Sequence, residues 1–395
     1  MSSGVETPVP SDPVPTDAVP TDWRAALAAV IETVIAPSAV EVDCTGAYPR
    51  AALNALSDAG LLGLLSSSEV GGGGGSIADV ADVVETIATA CGSTAMVVLM
   101  HYAAVSVLEQ FGPVDVRTAI ARGEHVSSLA FSESGSRSHF WAPVSSATTA
   151  GDDDVRLDAA KSWITSAGEA DSYVWSSRPV AAEGPMTLWL VPSDAAGLRT
   201  VAPFDGLGLR GNSSSPVTAQ GVTVPLASRL GKDGAGLDIA LGTALPVFLV
   251  GNAAFSLGLM EALVGEAAAH LRLTRLEHLG QTLAEQPASR AEFARLRTRT
   301  DEVRAFLTDT LAALGSGRPA ATLRVLQVKA VAAEAASEVA DGVLRLCGGA
   351  AFRKDLGVER RFRDSLAARV MAPTTPALRD FVGRATLGQP LFGEA

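Results

Sequence analysis

The sequence predicts an α+β protein of three successive domains: helical over residues 22–125, β-rich over 126–230 and helical again over 236–395. Three observations carry that division. In the first part apolar residues recur every three or four positions, the pattern of one buried helix face. The middle part breaks into short apolar runs bounded by Gly, Pro, Asp and Ser, the punctuation of strands and turns. The last part returns to long Ala- and Leu-rich segments with charged residues on one face, as a helical bundle requires.

Residues 1–20 precede these domains, with Pro8, Pro10, Pro13, Pro15 and Pro20 among Ser, Thr and Asp. That composition predicts a disordered tail. Helical spacing starts at Trp23 and runs through Leu27, Val30, Ile31 and Val34, and residues 51–56 open a further helix after Pro49. Residues 71–75 are five consecutive glycines with no Lys-Ser/Thr after them, which predicts a flexible turn between helices rather than a phosphate cradle. In the middle domain residues 173–175, 187–191 and 217–224 predict strands of a small barrel or sandwich. The segments 239–280, 288–315 and 319–347 predict the long helices of the last domain. No short-period repeat is present, which argues against a solenoid.

With 395 residues, 47% apolar and 19% charged, the chain can bury a large core. A net charge of −12 argues against a nucleic-acid partner, which needs a basic face for phosphates. Cys44, Cys91 and Cys347 are widely separated and lack histidine pairs nearby, so neither a disulfide framework nor a metal site is predicted. The N-terminus has no basic segment followed by an apolar one, and the expected location is the cytoplasm. Residues 239–260 contain no charged side chain and are long enough to cross a bilayer. Gly242, Pro246, Gly251, Asn252 and Ser256 interrupt them and no aromatic belt follows, so the reading is a bundle-centre helix, not a membrane span.

Several motifs follow one another along the chain. Ala59-Gly60-Leu61-Leu62-Gly63-Leu64 leads into Glu69-Val70-Gly71-Gly72-Gly73; Ser132-Glu133-Ser134-Gly135-Ser136 precedes Lys161-Ser162-Trp163-Ile164-Thr165-Ser166; Leu209-Arg210-Gly211-Asn212 and Arg345-Leu346-Cys347-Gly348-Gly349 come later. In composition and order they resemble the acyl-CoA dehydrogenase superfamily from about residue 22 to 390. The resemblance implies an N-terminal α domain, a middle β domain, a C-terminal four-helix bundle, bound FAD, and a homo-oligomer, dimer or tetramer, because the family builds its cofactor site across subunits.

An isoalloxazine ring needs a flat apolar partner and hydroxyl or amide donors at its polar edge. On the resemblance, Leu129, Ala130, Phe131, Ser132, Trp163, Ile164 and Thr165 supply these, with Ser134 replacing the family's proline. Arg275 and Gln286 lie at the spacing of a family pair that reaches the dinucleotide of a neighbouring subunit. Arg345 adds a charge able to meet a phosphate, and Gly348 and Gly349 permit close backbone approach.

The catalytic carboxylate is missing from its usual places. Counting from Arg363-Asp364, the family's glutamate falls on Ala372; the alternative position, ten residues before Gly258, is Phe248, and the arginine beside it is Leu249. A dehydrogenase of this type removes an α proton with a base while hydride leaves for flavin N5. The leading expectation is therefore an FAD-dependent oxidoreductase acting on a CH–CH group of an acyl thioester, with a displaced base among Glu261, Glu359, Asp364 and His101. The alternative is a flavin-dependent monooxygenase or N-hydroxylase using reduced flavin and dioxygen, with Ser138, His139 and Trp141, and again His101, lining the substrate site. A flavin reductase or electron-transfer protein is the expected partner. A third reading is a flavin-binding relic without activity.

Overall fold

The computed structural model describes residues 22–392 except residue 138; the expected N-terminal tail lies outside them. The first domain holds α1 (Trp23–Val30), which continues through one π-helical turn into α2 (Ala36–Thr45), then α3 (Arg50–Asp58), α4 (Ile77–Ala90), α5 (Gly92–Phe111) and α6 (Val114–Ala121). Ser76 starts α4 with a reciprocal cap, its hydroxyl accepting from the Asp79 amide while the Asp79 carboxylate accepts from the Ser76 amide. The glycine run is a turn between helices, but it is pinned. The amide of Gly73 donates to the Gly63 carbonyl and that of Gly75 to Leu64, and a Cβ at Gly72 would lie 2.3 Å from the Ser66 carbonyl oxygen. Close backbone approach, not flexibility, is what the glycines supply there.

The middle domain holds two four-stranded sheets. One has the order β1-β4-β5-β8, from Ser127–Ala130, Ser172–Ser177, Thr187–Pro192 and Arg229–Leu230; the other has β2-β3-β7-β6, from Ser146–Thr149, Asp154–Ile164, Ser215–Pro225 and Leu198–Thr200. Only β1 and β4 run parallel among these pairs. Trp175 and Trp189 face each other across β4 and β5 and are fully buried. Strand β3 pairs along nearly all of β7 but slips register between Lys161 and Ile164, a bulge that re-aims the side chains at its end.

The last domain contains α7 (Gly236–Gly242), α8 (Ala244–Leu273), the short hairpin β9 (Arg275–Leu276) and β10 (Gln281–Thr282), α9 (Pro287–Gly315), α10 (Ala321–Cys347), α11 (Val358–Ser365), α12 (Ala367–Val370) and α13 (Thr375–Thr386). α8 packs against α9 and α10 within this domain and against α4 and α5 of the first. A helix covered on all sides has no use for a polar face, which accounts for its charge-free stretch. Among the described residues three stretches are long and apolar enough to cross a membrane: Gly236–Leu273, Gly92–Phe111 and Trp23–Thr45. The sequence reading singled out only the first. The first two have most of their apolar windows packed inside the protein, 89% and 78%, against 28% for Trp23–Thr45.

Candidate functional site

A cavity of about 900 Å³ opens where the middle domain meets α7, α8 and the segment from α11 to residue 373. That volume suits a small-molecule site. One face is built by the loop after β1, with Phe131, Ser132 and Ser134, and by the bulged end of β3, with Trp163, Ile164 and Thr165. The opposite face is Ala244, Leu245 and Phe248 of α8 with Val370, Met371, Ala372 and Pro373. The loop 204–209 and Arg137 form the remaining rim.

The first face is held by a buried ion pair. Lys161 and Glu133 are each almost wholly buried; Lys161 Nζ lies 2.6 Å from Glu133 Oε1 and also donates to the Ser176 carbonyl and hydroxyl. The Glu133 carboxylate accepts further from the Val144 and Ser145 amides and the Ser145 hydroxyl. Burial alone would raise the Glu133 carboxyl, but the Lys161 charge and these donors outweigh it and hold it below its ordinary value. Burial also draws the Lys161 ammonium down to about 8. Glu133 therefore anchors the loop and is not free to accept a substrate proton.

Trp163 sits on this face with a left-handed backbone (φ 58°) and is 69% exposed. An aromatic held in a strained conformation with an open face is a ready partner for a flat ring. Beside it the Thr165 and Ser214 hydroxyls lie 3.1 Å apart, buried in the cavity floor. These groups fit a flavin ring, with an apolar face to stack and hydroxyls for its polar edge. Leu129 also lines the cavity, while Ala130 is buried behind it.

The other expected residues are not brought together. His101 is buried on α5, its Nε2 donating to the Leu62 carbonyl at 3.0 Å and its Nδ1 accepting from the Ser127 amide at 3.2 Å. Burial pushes this imidazole down to about 4, so it is a neutral bridge between helix and sheet and not a cavity base. His139 and Trp141 pack edge to face 4.8 Å apart, and Trp141 joins Phe140, Phe381 and Phe392 in an aromatic cluster of which Phe140 alone reaches the cavity lining. Ser138 lies outside the described residues. Arg275 donates to the Gly280 carbonyl and Gln286 to Gln281, both around the exposed hairpin; Arg345 pairs with Asp341 on the α10 surface. Gly348 and Gly349 follow α10 in open space. None of these five lines the cavity of a single chain.

The displaced-base candidates are likewise committed. Glu261 pairs with Arg297 at 2.6 Å and Arg304 at 2.9 Å, and Glu359 with Arg363 at 2.7 Å. Asp364 is buried, accepts from the Leu209 amide at 2.6 Å, and is raised to about 6 by burial despite that bond. Ala372 and Phe248, 124 positions apart in the chain, do face the same cavity. Among the described lining residues the carboxylates are Glu133 and Asp205. Asp205, 91% exposed at the rim and 3.4 Å from Arg210, is a carboxylate that sequence reasoning passed over. Its loop is tightly seated: a Cβ at Gly208 would lie 2.5 Å from the Arg363 carbonyl oxygen, so Gly206-Leu207-Gly208 was the available signal.

Family models for the acyl-CoA dehydrogenase N-terminal, middle and C-terminal domains match residues 21–122, 128–222 and 234–387 in that order. The chain belongs to the acyl-CoA dehydrogenase family. Among its relatives, the probable acyl-CoA dehydrogenase YngJ of Bacillus subtilis is 28% identical over 364 residues, covering 89% of this chain and 94% of that protein. The mitochondrial isobutyryl-CoA dehydrogenase of Dictyostelium discoideum is 26% identical, covering 88% and 84%. The solved butyryl-CoA dehydrogenase of Megasphaera elsdenii superposes with a TM-score of 0.87 at 21% identity, covering 96% of this chain and all of that one. All three domains of the acyl-CoA dehydrogenase family are thus matched, and the cavity lies between the middle and C-terminal ones.

Proposed function

We propose that the protein is an FAD-dependent oxidoreductase that oxidises a CH–CH group of an apolar acyl thioester in this cavity. The observation that carries the reading is one cavity with two unlike faces: an exposed Trp163 over buried hydroxyls on one side, and an apolar wall of Phe248, Leu245 and Met371 on the other. Membership of the acyl-CoA dehydrogenase family supports it. Bound FAD would supply the hydride acceptor. Trp163 would stack on its ring, and Thr165 and Ser214 would meet its polar edge. The apolar wall excludes water and orients the acyl chain along α8.

The α proton needs an acceptor, and Asp205 is the lining carboxylate not fixed by a buried ion pair. In this reading the proton leaves through the rim, not into the wall as it would with a carboxylate at position 372. A homo-oligomer that completes the dinucleotide site around Arg275 and Gln286, a cytoplasmic location and an electron-transfer partner belong to the same proposal.

Monooxygenation is the second reading, favoured by an inner wall that carries no carboxylate among the described residues, since hydroxylation with reduced flavin and dioxygen needs no base there. Anaerobic mixing of the purified flavoprotein with acyl-CoA thioesters of increasing chain length separates the two. Loss of the flavin absorbance without oxygen is the expected result. Unchanged absorbance, with oxygen uptake and a hydroxylated product once a reductase is supplied, would overturn CH–CH oxidation in favour of the second reading.

A further inference from the structure

Behind the cavity wall lies a cation that the reaction described above does not use. Lys329, in the first half of α10, is fully buried, and its ammonium donates to the Met371 and Pro373 carbonyls, each at 2.8 Å. Those two carbonyls bracket Ala372. Among the described residues no carboxylate forms an ion pair with Lys329, and burial draws it down to about 7. A buried charge without a counter-ion is costly, and removing its hydrogen-bond partners would make it costlier still. A second polar group reaches the same turn: Asn252, fully buried one helical turn beyond Phe248, directs its Nδ2 to Met371 Sδ at 3.8 Å. Its Oδ1 has no hydrogen-bond partner.

Residues 370–373 have no strand or long helix to hold them. α12 ends at Val370 and α13 begins at Thr375, so the segment that forms the wall is a linker four residues long between Val370 and Thr375. Its lining residues Met371, Ala372 and Pro373 are placed by what grips their backbone. We propose that Lys329 is the positioning residue of this wall: its ammonium clamps the two carbonyls beside Ala372, fixing the depth of the cavity and hence the length of acyl group that fits. Asn252 braces the same turn from α8. Lys329 is not among the cavity-lining residues and acts through the turn alone.

The inference rests on the cavity being the acyl site, and its test separates the two claims. Lys329→Met keeps the length and volume of the side chain and removes the donor; Lys329→Arg keeps the charge. Hydrogen exchange of full-length protein, read on peptides covering residues 366–376, needs no ligand. In Lys329→Met, protection of that segment is expected to fall about tenfold or more, as loss of two charge-assisted bonds implies, while α9 keeps its protection. Lys329→Arg is expected to restore most of it. In parallel, flavin spectral titration with acyl-CoA thioesters of increasing length is expected to show length preference flattened in Lys329→Met, with FAD affinity within twofold of the parent. Unchanged exchange in residues 366–376, or loss spread evenly through α8, α9 and α10, would overturn the clamp. If the parent protein itself gives no spectral response to any acyl-CoA, the acyl-site reading fails while the exchange result still decides the clamp.

Discussion

The two faces of the cavity differ in what holds them and in what they offer. The face from the middle domain is polar underneath, fixed by the Lys161–Glu133 pair and presenting Trp163, Thr165 and Ser214. The wall from α8 and residues 370–373 is apolar at its surface, with the Lys329 ammonium turned away behind it. On one side, buried charge supports a cofactor-type surface; on the other, it supports a shape. Ala372 and Phe248, the two positions where the resemblance would put a carboxylate, both line this cavity without one, above that buried scaffolding.

Five changes probe that contrast, in order of expected effect. Lys161→Met leaves the Glu133 carboxylate buried without its cation, and thermal or denaturant unfolding should show a loss of about 3–5 kcal/mol; a loss below 1 kcal/mol would mean that the pair does not anchor this face. Next is acid stability. His101 is held neutral with its folded value near 4 against 6.5, so its contribution is fully present above pH 6.5. It is lost as pH falls through that window toward 4. The lowering corresponds to about 3 kcal/mol. His101→Gln should flatten that limb in unfolding measurements across pH 4–7.

Asp205→Asn should slow anaerobic flavin reduction by an acyl-CoA by about 100-fold, the low end for general-base removal, with little change in melting because the side chain is solvated. An unaltered rate would remove Asp205 from the reaction. Trp163→Ala should weaken FAD binding by about tenfold, on the scale of an aromatic stack, and leave the melting temperature of the apoprotein unchanged. Fluorescence titration reads the first and calorimetry the second. The smallest expected effect is Ala372→Glu: acyl-CoA turnover should stay level or fall. A clear rise would show that the wall merely lost its base and that the rim carboxylate is not the acceptor.

Much of this arrangement was legible in the sequence, and the reasons are physical. The Ser-Glu loop and the Trp-Ile-Thr strand end are local motifs, so their residues stay together when folded. Ala372 and Phe248 could be placed on one cavity because counting from neighbouring motifs survives the loss of the functional side chain. His101, His139 and Trp141 were misplaced because a polar aromatic in an apolar run reads the same whether it faces a ligand or bridges two elements. Lys329 was invisible: a lone lysine in an Ala-rich helix has the pattern of a solvated face, and only packing against residues 371–373 shows otherwise. Arg275, Gln286 and Arg345 stand apart from the cavity in one chain, and no local pattern states where a second copy would sit.

The charge-free first half of α8 bears on how the chain is made. Emerging from the ribosome, residues 244–273 are as greasy as a membrane anchor. Helices α4 and α5, which cover one side, have already been synthesised, whereas α10, which covers another, is complete only at Cys347. For the time needed to add more than seventy residues after Leu273, that second side faces solvent, chaperones or a bilayer surface. Docking of the N-terminal domain onto α8 would cover one side in the meantime, and truncation between α8 and α10 is expected to give an insoluble product.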